Sequence, residues 1–194
     1  MFSWFRLSFL WRRRPSFAPP MIPLPTDLKV VLFDWGDTLM SEDGPQDYTM
    51  ADWPAVRALE GATDVLAALA GRYRIAIATN ATISKQPDIK RALQRVGLAA
   101  FVGEIFCFTE LGCRKDEPAF WRIVLERLQA RETEVVMIGD SLEQDVLGPQ
   151  RAGLAAIWYN WKACPPPAVH EIRTIRKLDE LLPLLLHRSS SSQS

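Results

Sequence analysis

Five short apolar runs punctuate this chain, and between them apolar residues recur three or four positions apart. The runs are Val30–Phe33, Tyr73–Ala78, Glu104–Phe108, Glu134–Ile138 and Leu154–Tyr159. Continuous apolar stretches of this length, bounded by polar or glycine breaks, predict strands buried on both faces of a parallel sheet. The stretch Ala55–Leu69 carries Val56, Leu59, Val65, Leu66 and Leu69 at helical spacing; Gly61 is a potential break within it and Gly71 a stop. Pro87–Val96 reads as a helix ended by Gly97. Asp116, Glu117 and Pro118 are start signals for a helix that runs through Phe120, Ile123, Val124, Leu125 and Leu128. Ser141 and Gln144 have capping-box spacing, which predicts a helix reaching about Ala152 before Gly153. A last helix is predicted over Leu178–Leu186.

Strands and helices thus alternate five times, the pattern of an α/β fold with a parallel sheet and helices on both faces. At 194 residues the chain is long enough for one domain with a sizeable core. Lysine plus arginine and aspartate plus glutamate both number 23, so the net charge is zero and no nucleic-acid footprint shows. The cysteines, Cys107, Cys113 and Cys164, are too few and too irregularly spaced for a disulfide framework or a zinc site, and the composition reads as cytoplasmic.

The ends differ from the body. Residues 1–25 are aromatic and basic, then rich in proline, and Arg6 interrupts their apolar part. That part is about ten residues long, against the ~20 a membrane-spanning helix needs. Arg12, Arg13 and Arg14 follow it rather than precede it, so a secretory signal is not indicated. We read residues 1–25 as a flexible extension with translation starting at Met21, 26–188 as the globular domain, and 189–194 as a disordered tail. Ser41–Pro54 is polar and aperiodic, a loop or flap in which Tyr48 and Trp53 are candidate substrate contacts, though ordinary packing is their commoner use.

Asp34, Thr79 and Asp140 each follow the last apolar residue of a predicted strand, and Lys115 precedes a helix. In a parallel sheet these distant positions gather on one rim, where such sheets bind ligands. Taken singly, each has an ordinary use. Asp34 and Asp37 suit a turn, as do Thr79 and Asn80, and Asp140 and Asp145 suit a helix N-terminus. A lysine just before a helix opposes its dipole and has no such excuse. Together the set suggests phosphoryl transfer. Asp34, Asp140 and Asp145 offer hard oxygen ligands suited to Mg²⁺, and a carboxylate can attack phosphorus. Lys115 and the Thr79 hydroxyl answer the charge of the transferred group.

The segments DWGDT at Asp34, IATNA around Thr79, RKDEPAF around Lys115 and GDSLEQD from Gly139 resemble, in order and spacing, the four motifs of the haloacid dehalogenase superfamily. The resemblance spans about Leu28 to Asn160. It implies a doubly wound, Rossmann-like parallel sheet, with Asp34 as nucleophile and Thr79, Asn80 and Lys115 at the phosphoryl group. It also implies Mg²⁺ held by Asp34, the Gly36 carbonyl and Asp140, with Asp145 as a ligand through water or as a partner behind those ligands. The phosphatases of the family usually carry an aspartate two residues after the nucleophile as general acid. Here Gly36 holds that place and Asp37 comes one residue later; its side chain does not simply inherit the role, and Asp37 stands as a catalytic candidate that would reach the leaving group by a different turn. General acid catalysis typically contributes ~10²–10⁴-fold. Asp34 and Thr79 are 45 residues apart and Thr79 and Lys115 are 36 apart, distances the predicted elements largely fill, so little or no cap domain is expected.

The leading expectation is a Mg²⁺-dependent hydrolase of phosphomonoesters, small or macromolecular, working through an aspartyl-phosphate. Two alternatives stand beside it: carbon–halogen hydrolysis, and a phosphate-binding regulatory module that has lost turnover. An uncovered rim is also compatible with closure by a second copy in a homodimer.

Overall fold

The computed structural model describes residues 21–166 and 171–186. The expectations for residues 1–20 and for the 189–194 tail lie outside the described residues. In chain order the strands are β1 (Val30–Phe33), β2 (Arg74–Thr79), β3 (Glu104–Cys107), β4 (Val135–Gly139), β5 (Ala155–Tyr159) and β6 (Thr174–Ile175). The helices are α1 (Ala62–Ala70), α2 (Gln86–Arg95), α3 (Phe108–Leu111), α4 (Pro118–Leu128), α5 (Gly148–Arg151) and α6 (Leu181–Leu186). A π-helical segment, Leu142–Leu147, runs directly into α5.

All strand pairs are parallel, in the order β3-β2-β1-β4-β5-β6. The chain moves outward from β1 through β2 to β3, then returns to lay β4 on the other side of β1. That reversal opens a crevice at the carboxyl ends of β1 and β4, the place where doubly wound sheets bind ligands.

Each strand side chain goes to the face its parity dictates. Val31, Phe33, Ile77 and Ile138 face one core layer, built with Val65, Leu66 and Leu69 of α1, Ile89 and Leu93 of α2, and Leu181 and Leu185 of α6. Val30, Leu32, Ala78 and Met137 face the other, with Phe120, Trp121, Val124 and Leu128 of α4. The four residues of β1 are completely buried, which is why the run reads as unbroken rather than alternating. Each such side chain contributes roughly 1.5–3 kcal/mol by leaving water.

The structure departs from the pattern in four places. First, β6 is a sixth strand: its two residues pair with Trp158 and Tyr159, too few to leave a periodic signal. Second, the predicted helix over 55–69 begins at Ala62. Gly61 takes a left-handed φ of 79°, a conformation glycine adopts freely, and the preceding residues return to the first loop through Ser41 N–H to the Arg57 carbonyl and Leu59 N–H to the Leu39 carbonyl. Third, Phe108 ends no strand but starts the single turn α3. Fourth, the capping residue Ser141 does receive the Gln144 N–H, at 3.4 Å, yet the helix it opens is π-wound before α5.

Between β1 and α1 the only helix is the 3-10 turn Met50–Asp52. Among the described residues nothing is inserted that amounts to a cap. The flap over residues 41–54 is instead strapped to the body. Arg95 of α2 donates to the carbonyls of Ala51 (3.0 Å), Trp53 (2.6 Å) and Pro54 (3.2 Å). Arg57 holds the Ser41 hydroxyl and the Asp43 carboxylate at 2.8 and 2.7 Å. No helix among the described residues is long and apolar enough to cross a membrane.

Candidate active site

Asp34 sits one residue past β1, its backbone N–H bound to the Ile138 carbonyl, so its carboxylate is delivered to the rim by continuation of the sheet. Lys115 reaches the same point from the loop before α4 and is 1% exposed. Its ammonium donates to Asp34 Oδ1 at 2.5 Å and to Asp145 Oδ1 at 2.6 Å, a buried bridge between two carboxylates. The loop holding the lysine is fixed at both backbone polar groups. Lys115 N–H donates to Asn80 Oδ1 at 2.9 Å, and the Trp121 indole donates to the Lys115 carbonyl at 2.6 Å. Asp145, fully buried on the π-helical segment, also accepts the Ser141 N–H at 2.9 Å. Such segments are uncommon and frequent at functional sites; this one turns Asp145 toward the rim.

Asp34, Asp140 and Asp145 each offer a carboxylate oxygen, and these oxygens lie within 4.8 Å of one another. Thr38 stitches the two strand ends together, donating to Asp34 Oδ2 at 3.4 Å and accepting the Asp140 N–H at 3.2 Å. The cluster carries more negative charge than Lys115 balances, and the ionisations show it. Desolvation, with repulsion from Asp34, raises Asp140 from an ordinary 3.8 to about 6. Burial raises Asp145 to about 7, against the pull of Lys115. For Lys115, burial would lower the pKa, but the Asp145 and Asp34 carboxylates outweigh it and hold the ammonium above its ordinary value. An all-oxygen donor set with excess negative charge suits a hard dication such as Mg²⁺.

In the metal-free protein these raised carboxyls mean that the folded chain binds more protons than the unfolded one between about pH 4 and 7, so stability falls as pH rises through that window. Melting in EDTA is expected to be higher at pH 5 than at pH 7.5. Added Mg²⁺ is expected to stabilise more at pH 7.5, because the carboxylates must be deprotonated to bind it. Equal melting temperatures at both pH values in EDTA would refute this account of the cluster.

The remaining predicted residues fall as follows. Thr79 ends β2 at the cleft, its hydroxyl oxygen accepting the Ala81 N–H at 3.2 Å. Asn80 lines the cleft too, and its Nδ2 is buried without a hydrogen-bond partner. Gly36 is buried in the turn after Asp34. Asp37 is brought close in sequence but not in orientation. At a left-handed φ of 50° its carboxylate accepts the Glu42 N–H at 3.0 Å and Lys162 Nζ at 2.9 Å, and it is absent from the cleft wall. Lys162 also reaches Asp140 Oδ2 at 3.4 Å.

The cleft above the carboxylates has a volume of about 450 Å³. Trp35, Tyr48, Met50 and Trp53 give it an aromatic and apolar side, while Trp158 and Tyr159 are spent on core packing. Sequence reading assigned no role to Glu42, Thr38 or Lys162. Thr38 lies inside the DWGDT motif and was within reach; Glu42 and Lys162 lie in aperiodic loops that carry no pattern. Glu42 is exposed at the cleft mouth, yet its carboxyl is turned in over Gly36. Partial desolvation there, together with repulsion from Asp34, Asp37 and Asp140, raises it from 4.5 to about 7.

Fold and cluster together define a Rossmann-like α/β hydrolase. The chain belongs to the haloacid dehalogenase-like hydrolases: residues 45–153, more than half its length, match that family. Over 129 residues it is 33% identical to the HAD-hydrolase YfnB of Bacillus subtilis, covering 66% of this chain and 54% of that protein. Over 129 residues it is 32% identical to the pyrimidine 5'-nucleotidase YjjG of Escherichia coli, covering 66% and 56%. The chain therefore spans about half the length of the curated relatives it matches. The crystal structure of an uncharacterized protein from Listeria monocytogenes superposes with a TM-score of 0.72 at 25% identity, over 83% of this chain and 98% of that one. YfnB, crystallised with magnesium, gives 0.66 at 21% identity over 82% and 99%.

Proposed function

We propose that this chain is a Mg²⁺-dependent phosphomonoester hydrolase in which Asp34 becomes transiently phosphorylated. The observation that carries the reading is the Lys115 ammonium bridging Asp34 and Asp145 beside Asp140. It holds one oxygen of Asp34 and leaves Oδ2, with only a long contact to Thr38, to attack phosphorus. Asp34, Asp140 and the Gly36 carbonyl would hold Mg²⁺, with Asp145 joining directly or through water, and the bound ion would offset charge on the transferred phosphoryl group. The Thr79 hydroxyl, the unpartnered Asn80 Nδ2 and Lys115 supply donors to its oxygens. The relatives' names support phosphoester substrates, pyrimidine nucleotides among them. The free cysteines are consistent with the cytoplasm.

The test is hydrolysis of p-nitrophenyl phosphate and of a panel of natural monoesters, pyrimidine 5'-monophosphates included, with Mg²⁺ and with EDTA. Release of phosphate that EDTA stops is expected. No turnover of any ester, in protein that still binds Mg²⁺ and phosphate, sinks this reading and favours a binding module.

A further inference from the structure

Expelling an alkoxide from phosphorus needs a proton at the leaving oxygen. Four carboxyls line the cleft: those of Asp34, Glu42, Asp140 and Asp145. Asp34 and Asp145 are held on Lys115, and Asp140 completes their cluster and meets Lys162. Asp37 stands outside the cleft wall with both oxygens engaged. Glu42 is what remains among the described residues. Among the described residues its carboxyl has no hydrogen-bond or ion-pair partner, although it lies in the cleft beside the nucleophile.

Its placement depends on a neighbour without a side chain. A Cβ at Gly36 would stand 1.8 Å from Glu42 Oε1, 2.1 Å from Cδ and 2.5 Å from Cγ, distances that atoms do not tolerate. The Glu42 carboxyl therefore occupies the space in which a side chain two residues after Asp34 would begin. Its backbone is fixed at both polar groups: N–H donates to Asp37 Oδ1 at 3.0 Å, and the carbonyl accepts Gln46 Nε2 at 3.1 Å. Asp37 is thus the residue that positions Glu42.

We propose that Glu42 is the acid and base of the hydrolysis, a reading that rests on the phosphatase function above. As Asp34 Oδ2 forms its bond to phosphorus and the bond to the leaving oxygen breaks, the Glu42 carboxyl gives its proton to that oxygen, and an alcohol departs. The Glu42 carboxylate then takes a proton from water as the water oxygen bonds to phosphorus and the bond from phosphorus to Asp34 breaks. Inorganic phosphate leaves, and both side chains return to their starting state.

The experiment compares wild type and Glu42→Gln on two kinds of monoester at saturating Mg²⁺: 2,4-dinitrophenyl phosphate, whose leaving group needs no proton, and simple alkyl phosphates, whose leaving groups do. The expected result is kcat/KM, which reports only the steps up to departure of the leaving group, within a few-fold of wild type on the activated ester and ~10²–10⁴-fold lower on alkyl esters. Activity on the activated ester also certifies that the variant is folded. The pair Glu42→Ala and Gly36→Asp/Glu42→Ala is the second measurement: returning a carboxyl to the same space from position 36 is expected to recover alkyl ester turnover at least tenfold. An equal loss of kcat/KM on both kinds of ester, or none on either, overturns the role of Glu42 while leaving the phosphatase intact. A wild type inert toward the activated ester overturns both.

Discussion

Asp34→Asn is expected to lower kcat by at least about 10⁴-fold while leaving the melting temperature unchanged or slightly higher. Losses of that order follow removal of a covalent nucleophile, because the residual rate comes only from binding and charge stabilisation. The amide keeps the size of the carboxylate and still offers an oxygen to Lys115 Nζ, which retains Asp145 at 2.6 Å. The substitution also removes a negative charge whose repulsion raises both Asp140 and Asp145, so the folded state is relieved rather than strained. Steady-state kinetics on an aryl phosphate and a thermal melt at pH 7.5 in EDTA check the two halves separately. A variant that keeps more than a hundredth of the activity places the nucleophile elsewhere.

Lys115→Met is the larger structural insult. The ammonium is buried between two carboxylates, and methionine fills the space without answering their charge. Removing one partner of such a network typically costs 3–5 kcal/mol, since the remaining charges stay buried and unpaired. For a chain of this size that corresponds to a drop in melting temperature of roughly 10 °C. The loss has a direction in pH. Without the lysine the Asp145 carboxyl, already raised to about 7, titrates higher still, so the defect is greatest at pH 8 and shrinks on acidification as the carboxyl takes up a proton. Urea denaturation at pH 5 and pH 8 measures it. A defect that grew toward pH 5 would mean that the bridge is not what stabilises this loop. Turnover is expected to fall below detection in either buffer.

The architecture was legible because buried parallel strands leave continuous apolar runs, and VVLF, RIAIAT and VVMIG end where the pattern changes character. The residue after each such run then has a computable fate: Asp34 and Asp140 reach the rim because β1 and β4 are neighbours and parallel. What the pattern does not encode is anything decided by loops. The start of α1 hangs on one glycine dihedral, β6 is a two-residue pairing with Trp158 and Tyr159 at the sheet edge, and the winding before α5 concerns hydrogen-bond offset rather than polarity. Asp37 illustrates the same limit. Its identity suggested chemistry, whereas its left-handed backbone and its two partners, Glu42 N–H and Lys162, turn it into a support.

Because the strap from Arg95 clamps residues 51–54, the flap takes part of its shape from α2 as well as from its own contacts. Glu42 and the aromatic wall of Tyr48 and Trp53 ride on that one loop. Transplanting residues 36–54 into a related hydrolase, with Gly36 leaving room for the Glu42 carboxyl and Asp37 holding its N–H, is therefore expected to move leaving-group chemistry and ligand preference as a single heritable unit. The recipient would need an arginine at the corresponding position of its own helix for the graft to hold its form.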